Sequence, residues 1–218
     1  MKEGASLCEL KNFSEVDNII IFGCGGHARS VINVIRKMSE GVKIFLVDEN
    51  ARENESILEC RVVRQYEMKE NDAYIIAIGD NAKRRAVYNS LVEEGSGHSV
   101  SIISVDSNIG MRAKIGQGTF VGINAYIGPQ AEIGSNTIIN TGSVIEHEVK
   151  IGNHTHIAPS ATVCGRTRIG NNVFCGVGSI VIDNIEICDN VVIGAGAVVI
   201  NNIVESGTYV GVPAKRIS

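Results

Sequence analysis

Residues 127–157, IGPQAEIGSNTIINTGSVIEHEVKIGNHTHI, carry the pattern that decides the fold. An aliphatic residue returns at every sixth position: Ile127, Ile133, Ile139, Ile145, Ile151 and Ile157. The step runs without a skip back to Ile103 and forward to Val199, and sixteen of its seventeen positions are Ile or Val, with Cys175 the exception. Glycine often follows the aliphatic residue, as at Gly110, Gly116, Gly128, Gly134 and Gly152. Two positions before it stands mostly a small or β-branched residue, among them Ala113, Thr119, Ala131, Thr137, Ser143 and Thr155. A helix cannot use this spacing, because six residues turn a side chain through about 600° and successive aliphatics would spiral around the axis. A triangular solenoid can. Three hexads close one coil, coils stack at about 4.7 Å, and each Ile or Val lies over another one coil away.

Upstream the period is different. Residues 18–22, NIIIF, form a short apolar run that ends at Gly23-Cys-Gly-Gly-His27. Helical spacing follows over 28–38, with Val31, Ile32, Val34 and Ile35 on one face. Residues 43–48 read as a second strand ending in acid, 72–78 as a third ending at Gly79-Asp-Asn81, 83–91 as a second helix and 100–103 as a fourth strand. Alternating strands and helices predict a small parallel sheet. The chain therefore divides into residues 1–17, an N-terminal extension; 18–102, an α/β Rossmann-like mononucleotide-binding domain; and 103–218, the solenoid.

Composition narrows the function classes. Apolar residues make up 44% of the 218, enough for a sizeable core, and the formal net charge is −4. No broad basic field is offered to nucleic acid or to an anionic membrane. No apolar run approaches the roughly 20 residues that span a bilayer, and residues 1–16 lack the apolar core of a secretory leader. The six cysteines show no CxxC and no disulfide-like spacing, so they read as reduced, mostly buried thiols in a cytoplasmic protein.

The glycine turn at 23–28 follows a strand and opens a helix, where free N–H groups and the positive end of the helix dipole suit a phosphate. Asp48 and Glu49 end the next strand, where an acid accepts hydrogen bonds from a nucleoside. The Gly-x-Gly-x-x-Ala match alone is weak and also fits a dinucleotide. The 85 residues of this domain hold one mononucleotide half. Three histidines fall in the solenoid: His147, His154 and His156. His147 lies two residues past an inward Ile, between Glu146 and Glu148, which can hydrogen-bond an imidazole and raise its basicity. On residues alone it also reads as an exposed corner histidine between solubilising acids. Asn140 stands in a slot often given to glycine, as a ladder asparagine or a residue pointing at substrate. Zinc is disfavoured, because His154 and His156 lack a third ligand at usual spacing. Cys175 occupies an inward slot and reads as a core hydrophobe, which leaves direct attack simpler than an acyl-cysteine route.

The repeat and the ending YVGVPAKR (209–216) resemble the hexapeptide-repeat acyltransferases. With IIIFGCGGHARSVINVI, AIGDNAKRRAVY and INTGSVIEHEVKIGNHTHIAPSATVCG included, the chain is similar over about 200 residues to the nucleotide-sugar N-acetyltransferases. The resemblance implies a left-handed parallel β-helix, acetyl-CoA as co-substrate, no metal, and a homotrimer with sites between subunits. It implies His147 as general base oriented by Glu148, Asn140 at the catalytic site, and His156 against acetyl-CoA. Gly25, Gly26 and His27 would hold the phosphates of a nucleotide sugar, with Asp48, Glu49 and Gly79 at the nucleoside. The backbone at Val177 and Ala195, one coil apart, would line the pantetheine arm, and Lys215 with Arg216 would meet the CoA phosphates. Val144, Val173 and Phe174, apolar outside the six-residue slots, are expected at subunit contacts. The best single acceptor is UDP-4-amino-4,6-dideoxy-N-acetylglucosamine, on a route to cell-surface glycan. GDP-perosamine N-acetylation and O-acetylation of a sialic-type sugar are the rival enzyme readings. A non-catalytic sugar-nucleotide scaffold and a metal-dependent hydratase are rivals from other classes.

Overall fold

The computed structural model describes residues 16–95 and 97–218. Cys8 and nearly all of the 1–17 extension lie outside them. The first elements are β1 (Asn18–Phe22), α1 (Gly26–Met38), β2 (Lys43–Val47), β3 (Ser56–Ile57), β4 (Cys60–Val63), β5 (Ala73–Ile76), α2 (Asn81–Glu94) and β6 (His98–Ser99). They build a six-stranded sheet in the order β3-β4-β2-β1-β5-β6, parallel except for the β3–β4 hairpin. The apolar stripe of α1 is buried at Val31, Ile32, Val34 and Ile35, as its spacing predicts. The chain leaves β1 for β2 on one side and reaches β5 on the other, so the strand order reverses at β1. The crevice at the carboxyl ends of the strands opens there, between the Gly23–Gly26 turn and the Gly79–Asn81 turn.

From Ile102 to Val199 the chain is a left-handed parallel β-helix built almost throughout of two-residue strands, and an antiparallel hairpin of Gly207–Val210 with Lys215–Arg216 closes its end. Residue i pairs with residue i+18 on all three faces, as in Ile139 with Ile157, Ile145 with Val163 and Ile151 with Ile169. The inward Ile and Val ladder fills the prism, with Ile127, Ile139, Ile145, Ile157 and Cys175 fully enclosed. Threonines in the small slot satisfy their hydroxyls across coils: Thr137 Oγ1 donates to Gly152 O and Thr155 Oγ1 to Gly170 O. That bond is why a polar residue is tolerated at zero exposure.

The outward residues give each face its own chemistry. Ile102, Phe120, Ile138, His156, Phe174 and Val192 form a docking face, and the first three share one buried cluster with α1 and the sheet. Tyr126, Val144, Thr162, Ile180 and Val198 form a largely apolar face. Lys114, Glu132, Lys150, Arg168 and Glu186 form a charged face, with exposed pairs such as Lys150 Nζ to Glu132 at 3.4 Å. Such pairs add little to stability.

Two sequence expectations are corrected. Residues 100–103 are not one strand: β6 ends the sheet at Ser99, and Ile102–Ile103 is the first rung of the solenoid. Val173 is not a contact residue on the outside. It sits two positions before Cys175, in the inward small slot, and is fully buried.

The glycines after inward residues are required by close approach. A Cβ on Gly152 would lie 2.6 Å from the carbonyl carbon of Gly170, backbone that cannot yield. Gly142 differs: its φ is +64°, with no atom nearer than 3.7 Å. Gly152→Ala is therefore expected to destabilise by about 2–3 kcal/mol through a forced coil shift. Gly142→Ala should lose only about 1 kcal/mol, from left-handed strain. Chemical-denaturation midpoints of the two variants check the order.

Candidate active site

Each coil has three corners, and the sequence-predicted residues distribute over them. Residues 140–143 turn from the docking face to the apolar face. Residues 146–149 turn from the apolar to the charged face, and 152–155 return to the docking face. Asn140 thus sits at the first corner, His147 and Glu148 at the second, and His156 on the docking face.

At the second corner His147 Nδ1 lies 3.1 Å from Glu148 Oε2, and both side chains are about half exposed. A carboxylate accepts, so Nδ1 carries the proton and Nε2 is left as the basic nitrogen. Glu148 has φ +59°, in the left-handed region that begins each corner's exit. Gly165, one coil on, makes room for the imidazole: a Cβ there would lie 2.7 Å from His147 Nε2. No local pattern singles out Gly165.

The docking face holds the second group. His156 is buried, with Nδ1 3.1 Å from Gly79 O and Nε2 3.1 Å from Asn140 Nδ2. Asn140 Oδ1 accepts from Thr141 N at 2.8 Å. Asn140, His156 and Gly79, given three separate roles from the sequence, are one hydrogen-bonded chain. Both ring nitrogens of His156 are engaged within the protein. Beside this chain lies a cavity of about 590 Å³. The start of α2 (Asp80, Asn81, Ala82) forms one wall, and His156, Phe174 and Val192 form the other. The helix start offers backbone donors there, while Asp80 Oδ1 caps Lys83 N at 2.8 Å.

His27 turns into the seam between α1 and the solenoid. Its ring stands edge-on to Phe120 at 4.8 Å and 6.3 Å from the ring of His156, and Nε2 is enclosed without a partner. Burial, reinforced by His156 and Arg84, pushes His27 down to about 3. Burial and then the Arg84 charge push His156 down to about 4. Both are uncharged at neutral pH. Gly25 and Gly26 are exposed and Gly79 is half-buried, and all three have open space where a Cβ would stand. The protein's own packing therefore does not require glycine at these three positions, and a ligand can approach the backbone there. Asp48 sits across the turn, taking a hydrogen bond from Cys24 Sγ at 3.0 Å and one from Asn50 N at 3.0 Å. Those bonds hold its carboxyl below the usual range, and burial with Asp48 beside it pushes the Cys24 thiol up to about 11. Glu49 is exposed next to it.

Val177 and Ala195 stack one coil apart, both exposed, in the corner column that also holds Thr141 and Pro159. Lys215 lies on the C-terminal hairpin with its side chain exposed, while Arg216 pairs with Glu205 at 3.5 Å. Cys175 is fully buried and its thiol is pushed up to about 12 by that burial, as its inward slot predicts. Among the described residues no three His, Cys, Asp or Glu side chains are grouped to hold a metal ion, and no helix is long and apolar enough to cross a membrane.

The chain is an acyltransferase built on hexapeptide repeats. Residues 18–91 match the PglD N-terminal domain family and residues 112–147 match the family of bacterial transferase hexapeptide repeats. No curated protein sequence matches the chain. Solved structures do. The acetyltransferase domain of PglB from Neisseria gonorrhoeae is 25% identical, with a TM-score of 0.86 over 92% of this chain and all of that one. Its complex with acetyl coenzyme A is similar at a TM-score of 0.85, 25% identity, 93% of this chain and 100% of that one. Perosamine N-acetyltransferase from Caulobacter crescentus, in complex with CoA and GDP-perosamine, is 29% identical with a TM-score of 0.82 over 92% of this chain and 97% of that one. The chain thus joins a PglD-type N-terminal domain to bacterial transferase hexapeptide repeats, the same two parts found in the nucleotide-sugar acetyltransferases that its motifs resemble.

The two buried histidines set a pH dependence. The unfolded chain binds protons on them below about 6.5, and the folded protein does so only near 4 and 3. Stability is thus fully present above 6.5 and is lost as pH falls through this window, by on the order of a few kcal/mol. His156→Gln is expected to roughly halve that slope between pH 6.5 and 4, leaving the His27 part, measured as urea midpoints between pH 7 and 4.

Proposed function

We propose that the protein transfers the acetyl group of acetyl-CoA to the amine of a nucleotide-linked amino-deoxy sugar. The observation that carries this is His147, with Nδ1 held by Glu148 and Nε2 free, on a solenoid joined to an α/β domain whose glycine turns leave backbone open at the sheet's switch point. In the transfer, the amine lone pair attacks the thioester carbonyl carbon and His147 Nε2 takes the amine proton. The C–S bond then breaks, and the imidazolium returns the proton to the CoA sulfur. The oxygen that becomes negative needs a donor, and Asn140 supplies a carboxamide N–H. Phosphates bind at Gly25, Gly26 and the start of α1, and the nucleoside lies toward Asp48 and Glu49. The pantetheine arm follows Val177 and Ala195, with Lys215 toward the CoA phosphates. An amine acceptor is supported by the perosamine N-acetyltransferase similarity. UDP-4-amino-4,6-dideoxy-N-acetylglucosamine is the first acceptor to test and a GDP-linked 4-amino sugar the second.

His147 and the Asn140–His156 chain lie on different edges of one prism. One copy therefore does not complete the centre, and a neighbour's second corner facing this docking face would. A cyclic homotrimer closes three such equivalent contacts, and the apolar face with Val144, Ile180 and Val198 suits the buried side. The five described cysteines are all free, which accords with a cytoplasmic enzyme.

Release of CoA thiol from acetyl-CoA is the test, with UDP- and GDP-linked 4-amino sugars as acceptors. His147→Ala should lower kcat by about a hundredfold or more. Gly165→Ala, which displaces the ring while the coil keeps its bonds, should lose activity with a nearly unchanged unfolding midpoint. Full activity in His147→Ala would remove the base from the mechanism, and activity on a free sialic acid alone would move the acceptor to a hydroxyl.

A further inference from the structure

Arg84 is a buried charge without a counter-charge in contact. It is 1% exposed, and among the described residues no carboxylate pairs with it. Its guanidinium donates instead to the carbonyls of Ile78, Gly79, Asn136, His154 and Thr155 and to Asn81 Oδ1, at 2.7–3.3 Å. These acceptors come from the end of β5, the start of α2 and two coils of the solenoid. Burying such a charge is unfavourable by several kcal/mol before its hydrogen bonds are formed. A purely mechanical strap would be served by an apolar side chain.

The bonds of Arg84 continue into the site. Gly79 O accepts from Arg84 Nη1 at 3.3 Å and from His156 Nδ1 at 3.1 Å. A carbonyl only accepts, so His156 carries its proton on Nδ1 and Nε2 is bare. The bare nitrogen accepts from Asn140 Nδ2, which is consistent with Asn140 Oδ1 facing Thr141 N. Each link fixes the next, and one N–H of the Asn140 carboxamide remains for a ligand. A proton on His156 Nε2 would meet the Asn140 NH₂ group and break the chain. The charged and titratable groups facing His156 are Arg84 from α2 and His27 from α1, while the next coil offers uncharged Phe174. Asp80 is the acid nearest Arg84 in effect. The same arginine opposes protonation of His27, His154 and His156.

We propose that Arg84 is a positioning residue for acetyl transfer: by holding the Gly79 carbonyl it sets the His156 tautomer, and through His156 it leaves one Asn140 N–H free for the thioester oxygen. The proposal rests on the acetyltransferase reading of this site. No sequence signal marked Arg84, which sits in Lys83-Arg-Arg85 at the start of the second helix expected from the sequence.

The test is ¹⁵N NMR of the imidazoles in the full chain, wild type beside Arg84→Gln and Arg84→Lys, with steady-state kinetics on acetyl-CoA and the amino-sugar acceptor. The wild type should show His156 as the Nδ1–H form at neutral pH, titrating near 4. Arg84→Gln should move that titration toward 6.5, mix the tautomers and lower kcat by about 10- to 100-fold, with KM for the nucleotide sugar little changed. Arg84→Lys keeps the charge but not the fork, so it should retain the low titration while losing the single tautomer. Unchanged His156 spectra in a folded Arg84→Gln protein overturn the proposal even if activity falls, because Arg84 is then structural only. If Arg84→Gln does not fold, the tautomer in Arg84→Lys decides in the same way. A wild type that shows the expected His156 tautomer but acetylates no amino sugar overturns the acetyltransferase reading and the reaction role of Arg84 with it, leaving the spectra as the separate record of the hydrogen-bond chain.

Discussion

The register in which residue i hydrogen-bonds residue i+18 is the constraint on which the rest of the molecule depends. It stacks the inward Ile and Val into one column per face. It also stacks every outward and corner residue, so a chemistry placed at one position is repeated, opposed or interrupted one coil away. The charged face alternates sign down part of its column because like charges directly paired would repel. The corner after Ile145 accommodates an imidazole because the next residue in its column is Gly165. A one-residue slip would turn the interior ladder outward, and the hydrophobic pattern forbids it over all seventeen positions.

The second organising feature is the seam where the sheet meets the docking face. Ile102, Phe120 and Ile138 continue the core of the N-terminal domain, so the two halves share a buried cluster. Polar groups trapped in that seam must be bonded, and most are, through Arg84, Asn81, Asn140 and His156. His27 Nε2 and Asn136 Oδ1 are enclosed without a partner. The seam keeps its histidines neutral, whereas His147 stands half exposed on a corner beside a carboxylate. One fold thus holds imidazoles in two environments, one suited to orienting a neighbour and one to exchanging protons with a substrate.

The hexad, the βαβ start, the buried stripe of α1 and the inward slot of Cys175 are all local or strictly periodic signals, and they were legible from residue order. His147 with Glu148 was legible for the same reason: adjacent residues on one corner must lie near each other. The strand over 100–103 was misread, because a junction between two architectures has the composition of both. Val173 was misassigned because Val occupies both inward and outward slots, and only counting from Cys175 separates them.

The sequence by itself determined the architecture, since a six-residue aliphatic period has no other way to bury its side chains. It also singled out His147 with Glu148 as candidates for reactive chemistry, since few residue types can serve. Only the tertiary structure decided that Gly79, Asn140 and His156 form one chain, that Arg84 anchors it, and that His147 lies on another edge. Those relations span 16 to 77 positions of separation, and they arise where a helix of one domain docks against a face of the other. A contact made by docking leaves no period in the sequence, because each partner satisfies its own local pattern whether or not the other is there.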